Sequence, residues 1–521
     1  MEVVRNAPPA EATGPSRASR PGRRARRAAL GALAAVAGAL PALAFPEPGL
    51  WWLGLVGFVP LLLLIRSAAT PRGAMVRAWL GGSAFMLAAH HWLVPTVGVF
   101  TLPLAVVFGA PVALWGRAAW HLMRSATSPA RTLRAAVVLA GGWVLVEALR
   151  SWDRLGGPWD LLGASQWRTR WLLASAALGG VWLVSFGLVV VNVAVAGAVA
   201  PGVPARARIA AAGLAVLTLA AAGLWSATRP DLGTGATVRV VGVQPGVIHE
   251  VGPRFAASEA ATARVGSLHP DLVVWGESSV GLDPREETGY LRRIEAAARA
   301  AGADILVNVD ARRAAGEGIY KTALLVGPDG PRGSYDKMRL VPFGEYVPLR
   351  RVFAWVESVS RAPGEDRRRG DGLVLLETRG LMLGPLICFE SAFPDMARRL
   401  AGMGADVIVV QSSTSTFQQS WAPEQHASLA AVRAVETGRP VVHATLTGVS
   451  AGFDATGRRL VWLGTSERGT YVADLPLARG RTPYVRYGDW VVVASVVVVA
   501  AALGPAGWRR ARSARLGSRL L

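Results

Sequence analysis

The chain has 521 residues, of which 52% are hydrophobic and 17% are charged, and its mean hydropathy is +0.34. Ordinary soluble domains carry roughly 25% charged residues, so this composition excludes a disordered or wholly soluble chain and favours a membrane protein. A formal net charge of +21 would suggest a nucleic-acid partner in a soluble protein. In a membrane protein the basic residues flank apolar spans, and we expect no such partner. The single cysteine excludes an internal disulfide and a cysteine-cluster metal site; we expect no metal and no cofactor.

Seven apolar segments fit into the first 230 residues by the criterion of roughly 20 apolar residues per span, and an eighth lies near 489–507. The limits predicted for the first seven are 29–45, 49–65, 74–94, 97–121, 133–149, 172–200 and 207–227. The segment before them is rich in Pro, Ala and Arg, which predicts a disordered basic tail. A signal peptide is disfavoured because further apolar spans follow directly.

The arginines predict an orientation in the membrane. They flank the second, fourth and sixth connections between the spans and fill both tails, whereas the first and third connections have neither Arg nor Lys. By the positive-inside rule, both termini are cytoplasmic and the long segment before the eighth span lies outside the cytoplasm. The fifth connection breaks the rule with Arg150, Arg154, Arg168 and Arg170. Either it is a structured outer loop that meets lipid head groups or the soluble domain, or its charge is chance.

The ionisable residues inside the predicted spans include His90, His91 and Glu147. Intramembrane ionisable groups are functional candidates by default. His90 and His91 lie near a span end, which favours a buried or interfacial pair over a site. Glu147 also stands near a span end and could pair with a nearby arginine.

The composition changes after residue 230, where short apolar runs alternate with helical ones. The predicted strands are 238–243, 271–275, 305–309, 322–326, 373–377, 381–387, 407–410 and 441–446, and the predicted helices are 254–266, 285–301, 394–403 and 423–437. A hairpin signal lies at 453–457, and 361–372 is typical of an exposed loop. This alternation predicts a layered α/β domain with its chemistry at strand ends.

Three residues at or just after strand ends could carry acyl-transfer chemistry. Cys388 is the only thiol, and Lys337 is one of only two lysines in an arginine-rich chain. Arginine cannot lose its proton or act as a compact point charge, so a retained lysine favours a role specific to an ammonium group. Glu277 could take the thiol proton, the thiolate could attack a carbonyl, and the ammonium could stabilise the oxyanion. A core cysteine and a structural carboxylate remain the alternatives, and an activated thiolate would need a depressed pKa.

The segments around these residues resemble the three signatures of the carbon–nitrogen hydrolase (nitrilase-like) superfamily. They are Trp-Gly-Glu-Ser-Ser at 275–279, Tyr-Asp-Lys-Met-Arg-Leu-Val-Pro-Phe-Gly-Glu-Tyr-Val-Pro at 335–348 and Ile-Cys-Phe-Glu-Ser at 387–391. The stretch Leu-Val-Pro-Phe-Gly-Glu-Tyr-Val-Pro is more specific and is similar to the apolipoprotein N-acyltransferase family, the membrane-embedded branch. The resemblance implies a polytopic α-helical membrane domain plus an α/β nitrilase-like αββα sandwich domain.

The expected domains combine this resemblance with the apolar segments. They are a disordered basic cytoplasmic tail (1–28), a membrane domain with seven transmembrane helices (29–229), an extracytoplasmic nitrilase-like catalytic domain (230–485), an eighth transmembrane helix (486–508) and a basic cytoplasmic tail (509–521). The family resemblance implies a multi-pass protein of the bacterial plasma membrane.

The resemblance also implies residue roles. Glu277 would be the general base, Lys337 the stabiliser of the tetrahedral intermediate and Cys388 the nucleophile. Glu345 and Glu390 would orient Lys337 or the incoming amine, or would serve as hydrogen-bonded scaffold.

Two positions depart from the family pattern. Phe389 stands where tyrosine is frequent, so that a hydroxyl is either not needed there or supplied elsewhere. The segment 411–417 differs more strongly from the usual Asn-Asp-x-Trp-Phe-Gly-like sequence, which puts recognition of the acceptor in question.

The implied reaction is ping-pong. Cys388 would take an acyl chain from a phospholipid as a thioester, and the α-amine of an S-diacylglyceryl cysteine at an apolipoprotein N-terminus would then attack it. One alternative is a membrane-attached amidase or nitrilase acting on a small substrate, with water as the second nucleophile. Another is a non-catalytic membrane scaffold for a partner enzyme, against which the intact Glu277, Lys337 and Cys388 argue.

Overall fold

The computed structural model describes residues 22–153, 156–313, 318–348, 350 and 365–504. The predicted C-terminal tail 509–521 and positions 361–364 of the predicted loop lie outside this part, and residues 365–372 form neither helix nor strand. Of the predicted N-terminal tail, residues 1–21 also lie outside it. The first helix begins at Arg23, so that the end of the predicted tail is helical.

Apolar helices dominate the described chain before the first strand. The α-helices of this first half are α1 (Arg23–Ala39), α2 (Leu53–Val56), α3 (Val59–Arg66), α4 (Pro71–Ala89), α5 (Val94–Val97), α6 (Thr101–Gly109), α7 (Pro111–Ser125), α8 (Pro129–Arg150), α9 (Arg170–Leu173), α10 (Ala176–Val199) and α11 (Ala205–Thr228). The later helices are α12 (Val251–Thr262), α13 (Thr288–Ala301), α14 (Pro394–Met403), α15 (Ala422–Thr437), α16 (Pro483–Tyr487) and α17 (Trp490–Leu503).

Within the described residues, 5 helical segments are long and apolar enough to cross a membrane. They are Arg24–Ala44, His91–Ser125, Pro129–Arg150, Ala176–Val199 and Ala205–Thr228. Two shorter apolar helices, Leu53–Arg66 and Trp490–Ala502, coincide with the predicted second and eighth spans. The predicted third span overlaps α4. Every predicted span therefore falls on a helix, while the count of eight crossings stays a prediction.

A glycine pair in α10 permits a close approach between the two halves. Helix α10 is kinked at Gly179 and Gly180, and Gly180 has φ +69°. A Cβ at Gly180 would lie 2.7 Å from the ring of Tyr484 in α16. Only glycine tolerates both the left-handed backbone and this approach without strain.

The second half contains two six-stranded sheets. Their strands are β1 (Gly233–Gln244), β2 (Leu272–Trp275), β3 (Asp304–Arg312), β4 (Ile319–Gly327), β5 (Gly330–Asp336), β6 (Leu376–Thr378), β7 (Leu381–Ile387), β8 (Val407–Ser412), β9 (Val441–Thr445), β10 (Ser450–Phe453), β11 (Arg459–Leu463) and β12 (Gly469–Ala478). The orders are β12-β1-β2-β3-β4-β5 and β11-β10-β9-β8-β7-β6. In each sheet three neighbouring strands are parallel, β1-β2-β3 and β7-β8-β9, and the outer strands pair antiparallel.

The sheets pack face to face in an αββα sandwich. Alternate apolar residues of both sheets, such as Val240, Leu306 and Val409, form the core between them. Helices α12 and α13 cover the outer face of the first sheet. Helices α14 and α15 cover the second sheet, and their core is continuous with that of the membrane helices. One helical layer of the sandwich therefore rests on the apolar half.

The eight predicted apolar runs correspond to β1–β4 and β6–β9, and the predicted hairpin signal lies between β10 and β11. The two strands that neither signal indicated are β5 and β12. Both stand at edges of the first sheet, and both mix exposed with buried residues. An edge strand contacts the core on one side only, so it lacks the continuous apolar run of a buried strand. All the predicted strands are present, although 373–377 is realised as the shorter Leu376–Thr378.

Candidate active site

The three signature segments meet at the ends of strands from both sheets. Glu277 follows β2, Lys337 follows β5, and Cys388 follows β7. The N–H of Glu277 donates to the carbonyl of Ser412 at the end of β8, at 3.0 Å. This hydrogen bond joins the first sheet to the second beside the candidate site.

Two lysines and two glutamates form a ring of alternating charge. Lys337 Nζ donates to Glu345 Oε1 at 2.7 Å and to Glu277 Oε1 at 3.2 Å. Lys321 Nζ lies 2.8 Å from the same oxygen of Glu277 and 3.2 Å from that of Glu345. Their side chains are 0%, 3%, 8% and 13% exposed for Lys337, Glu277, Glu345 and Lys321 respectively. The ring is thus a largely buried ion cluster in which the two positive and the two negative charges balance.

The pairing in the ring sets its protonation. Burial opposes ionisation of Glu345, but Lys337 and Lys321 lower its pKa to about 2. Burial likewise opposes ionisation of Glu277, and Lys321 and Lys337 bring its pKa below the ordinary value. Burial would lower the pKa of Lys337, yet Glu277 and Glu345 raise it. At neutral pH both carboxylates and both ammonium groups are therefore charged.

Cys388 begins a short 3₁₀ turn, Cys388–Ala392, and is partly accessible. The thiol feels the charges of Glu277, Lys337 and Glu345. Burial, and then the Glu277 carboxylate, raise its pKa to about 12. The pKa of the thiol is therefore not depressed in the unliganded site, because desolvation outweighs the nearby ammonium groups. The resting sulfur is a neutral thiol.

Backbone strain is concentrated in the signature segments. Among the described non-glycine residues with positive φ are Ser278 at +59°, Phe343 at +60° and Cys388 at +52°. Each stands in one of the three segments. Such conformations cost on the order of 1–3 kcal/mol each and persist where the surroundings impose them, which is frequent at active sites.

Glu390 ties the cysteine turn to the lysine loop. Its Oε1 accepts hydrogen bonds from the Tyr335 hydroxyl at 2.7 Å and from the N–H groups of Met338 and Arg339 at 2.7 and 3.1 Å. Its Oε2 accepts from the N–H of Ile387 at 2.8 Å. All these partners donate, so the carboxylate position supports a scaffold role beside Lys337.

Phe389 is buried and faces the apolar half. Its ring meets that of Phe393 at a centroid distance of 5.1 Å. A Cβ on Gly157, in the loop before α9, would lie 2.6 Å from the Phe389 ring. The side chain therefore packs between the two halves.

The carbonyl of Cys388 is held by a histidine. His426 Nε2 lies 3.0 Å from this carbonyl and 3.0 Å from Ser391 Oγ, while Nδ1 lies 3.1 Å from Ser412 Oγ. Burial lowers the pKa of His426 to about 4, so it is neutral at physiological pH. This residue fixes the turn that presents the thiol.

The neighbouring Gln425 joins the halves through indole groups. Its Oε1 accepts from Trp159 Nε1 at 2.9 Å and from Trp92 Nε1 at 3.2 Å. Trp92 directly follows His91, whose ring meets Trp421 at 4.3 Å. Both histidines lie just past the end of α4, and His91 contacts the second half.

Glu147 is a buried structural acceptor. It accepts from Trp143 Nε1 at 2.9 Å and from the N–H of Leu162 at 2.7 Å. Arg150 instead pairs with Asp160 at 3.1 Å. The arginine pairing considered for Glu147 is thus made by another carboxylate.

The divergent segment 411–417 divides into two parts. Gln411 donates to the carbonyls of Trp275 and Leu306, which supports the strand end before Glu277. The later residues of the segment line a polar cavity of about 320 Å³ that also reaches Lys321 and Glu277. The residues that line it from this segment are Ser413, Ser415 and Thr416.

Lys321 is the site residue that sequence reasoning missed. It lies on β4, away from the three signature segments. One signal was available, because Lys321 and Lys337 are the only lysines of the chain. The same compositional argument that selected Lys337 applies to both.

The described residues contain no group of three or more His, Cys, Asp or Glu side chains that could hold a metal ion. They do place a thiol, carboxylates and ammonium groups at the strand ends of an αββα sandwich that rests on apolar helices. This arrangement defines a nitrilase-fold protein of a membrane.

Comparisons with known proteins support this class. The carbon-nitrogen hydrolase family matches residues 237–482, and the apolipoprotein N-acyltransferase N-terminal domain matches residues 37–194. The apolipoprotein N-acyltransferase of Azotobacter vinelandii is 33% identical over 89% of this chain and 92% of its own length. That of Pseudomonas syringae pv. tomato is 31% identical over 87% and 92%. The crystal structure of an amidase from Nesterenkonia sp. is 21% identical over 46% of this chain and 91% of that one, with a TM-score of 0.33. The chain belongs to the apolipoprotein N-acyltransferase family.

Proposed function

We propose that this protein transfers an acyl chain from a phospholipid to the α-amino group of the N-terminal S-diacylglyceryl cysteine of apolipoproteins. The observation that carries the proposal is the Cys388 thiol within electrostatic reach of the Glu277–Lys337 pair, in a sandwich whose helical layer packs on apolar helices. Relatives named apolipoprotein N-acyltransferase match nearly the whole chain.

The first half-reaction forms a thioester at Cys388. The sulfur attacks the ester carbonyl of the phospholipid while Glu277 removes the thiol proton, and Lys337 stabilises the oxyanion that develops. The thiol pKa is about 12, so ionisation before attack is unfavourable and proton removal accompanies formation of the S–C bond. The tetrahedral intermediate then expels the glycerol oxygen, which takes the proton from Glu277 and leaves as lysophospholipid.

The second half-reaction consumes the thioester. The α-amine of the diacylglyceryl cysteine attacks the same carbonyl carbon, and Glu277 accepts a proton from the nitrogen. The C–S bond breaks, the sulfur recovers that proton, and the product is an amide. The free thiol is ready for another phospholipid.

The supporting residues act through this pair. Glu345 holds Lys337 through an ion pair at 2.7 Å. Glu390 holds the loop that carries Lys337 against the cysteine turn. Lys321, a residue of the cavity wall, keeps Glu277 ionised and so ready to accept a proton. Phe389 orients the turn by packing rather than by a hydroxyl.

Membrane attachment fits this chemistry. Both substrates are anchored in a bilayer, so a site held at its surface replaces a three-dimensional search with a lateral one. A thioester also requires exclusion of water, or the enzyme becomes a lipase. We place the sandwich outside the cytoplasm, with both termini inside, in a bacterial plasma membrane. Alkaline phosphatase fused after residue 478 should be active, and the same fusion after residue 504 should be inactive.

The test is mass spectrometry of the purified full-length protein after incubation with a phospholipid of defined acyl chains. We expect that acyl mass on the peptide containing Cys388, and its loss when a diacylglyceryl-cysteine peptide is added. Cys388→Ser is the matched control, because a hydroxyl of similar size forms no thioester. An adduct on another residue, or none under turnover, would contradict the mechanism. Release of free fatty acid without transfer would favour the hydrolase alternative.

A further inference from the structure

A basic pocket separate from the candidate active site opens at the edge of the apolar half. Its volume is about 510 Å³, and its charged lining consists of Arg168, Arg170 and Arg229. Trp51 and Trp171 form the apolar part of its wall. It shares no lining residue with the polar cavity at Glu277 and Lys321.

The carboxylates that act on these arginines lie outside the pocket lining: Asp454 and Asp231 attract Arg229, and Glu424 interacts electrostatically with Arg168. Among the described residues, no carboxylate lines the pocket and none of the three arginines forms an ion pair. Burial and the neighbouring Arg170 lower the pKa of Arg229, and together they outweigh attraction from Asp454 and Asp231. Like charges brought together without a directly paired counter-charge are costly. The pocket is therefore set up for an anion.

The residues around the pocket are typical of a membrane–water boundary. Helix α11 ends at Thr228, directly before Arg229. Trp51 and Trp171 remain 40% and 37% exposed, and tryptophan is enriched where a membrane surface meets water. The nearby Arg168 guanidinium stacks on the Trp167 ring at 4.6 Å.

This pocket also accounts for part of the fifth connection, which violates the positive-inside rule. Arg150 of that connection is neutralised internally by Asp160, and Arg154 lies outside the described residues. The remaining two, Arg168 and Arg170, line the pocket. Their placement beside Arg229, from a different helix end, is a feature of the fold and not of chain composition.

We propose that this pocket binds the phosphate of a net-anionic phospholipid in the leaflet on the side of the nitrilase-like domain. Guanidinium groups match phosphate oxygens in a bidentate manner, and the tryptophans provide an amphipathic surface for the lipid backbone. A zwitterionic head group would bring its ammonium into a pocket with no carboxylate lining, so the site prefers lipids such as phosphatidylglycerol. The inference is independent of the proposed reaction.

The experiment measures lipid retention by native mass spectrometry of the full-length protein in detergent. Phosphatidylglycerol and phosphatidylcholine of equal chain length are titrated separately. Arg170→Gln/Arg229→Gln is compared with Arg264→Gln/Arg292→Gln, which removes the same charge from exposed positions beside the other helical layer. We expect the first variant to weaken phosphatidylglycerol retention at least about tenfold, and the control to retain it as wild type does.

Each outcome decides the proposal. Equal retention by all three proteins would overturn it, as would equal loss in both variants, because net charge alone would then explain binding. Displacement of the lipid by millimolar inorganic phosphate would assign the pocket to free phosphate instead. Slower Cys388 acylation by pure phosphatidylcholine in Arg170→Gln/Arg229→Gln would show that these arginines serve the donor site, contrary to the inference.

Discussion

Lys321 and Lys337 converge on one atom, Oε1 of Glu277, at 2.8 and 3.2 Å. A carboxylate held by two ammonium groups is firmly ionised but weakly basic. The thiol that it must deprotonate is, by contrast, a weak acid. In the resting site, transfer of the thiol proton from Cys388 to Glu277 is therefore unfavourable. A bound carbonyl is required to make this transfer favourable.

Replacing Lys337 by arginine should nearly abolish thioester formation although the charge is kept. The ammonium is 0% exposed and contacts two carboxylates. A planar guanidinium is larger and cannot occupy that space without displacing Glu277 or Glu345. The measurement is the rate of Cys388 acylation by mass spectrometry; a wild-type rate would contradict the point-charge argument.

Replacing Lys321 by methionine should move the acidic limb of the pH–rate profile upward by roughly one pH unit. Glu277 and Glu345 would then share one ammonium, and their repulsion would raise the pKa of Glu277, so the base is lost at a higher pH as acid is added. The measurement is kcat/KM for thioester formation between about pH 4 and 8. Lys321→Arg keeps the charge and is the control. An unmoved limb in Lys321→Met would show that Lys321 does not tune the base.

Glu390→Gln should destabilise the protein by about 2–4 kcal/mol and slow acylation. The hydrogen-bond partners of the Glu390 carboxylate in the described part of the chain are all donors. The amide NH₂ of a glutamine at this position would therefore face at least one N–H or O–H group. Tyr335→Phe removes a single donor and should cost about 1 kcal/mol. Apparent melting temperatures in detergent test this order. Equal melting temperatures for wild type and Glu390→Gln would rule out the scaffold role.

The stability of the protein should fall as pH decreases from about 6.5 to about 4, partly through His426. Its folded pKa is about 4 because of burial, while the unfolded value is about 6.5. The unfolded chain binds the extra proton in this window, so the contribution is complete above the upper limit and lost toward the lower one. Its size is on the order of 3 kcal/mol. As the pH decreases, the melting temperature of His426→Gln should fall less steeply than that of the wild type, with His443 still contributing. Parallel curves for the two proteins would contradict a contribution from His426.

Resting Cys388 should react slowly with iodoacetamide at pH 8. A pKa of about 12 leaves very little thiolate, and thiolate is the reactive species. Its alkylation should be at least about tenfold slower than that of free cysteine, whose pKa is roughly 8.5. A faster reaction than that of free cysteine would mean that the thiol is ionised before substrate binds.

Sequence alone determined the local features of this protein. Apolar length identified the helices of the first half, and buried parallel strands were visible as short apolar runs that end in Glu277 and Cys388. These signals are local because hydrophobic burial and strand ends depend on neighbouring residues. The apolar pattern did not reveal the edge strands β5 and β12, because each mixes exposed with buried residues.

Only the tertiary structure decided how distant groups act together. It brought Lys321 from β4 to the oxygen that Lys337 also binds, set α14 and α15 on the apolar helices, and gathered Arg170 with Arg229. It also set the direction of the Cys388 pKa shift, which the sequence alone does not indicate. Protonation and charge pairing depend on distances and desolvation between residues far apart in the chain, and packing alone sets both quantities.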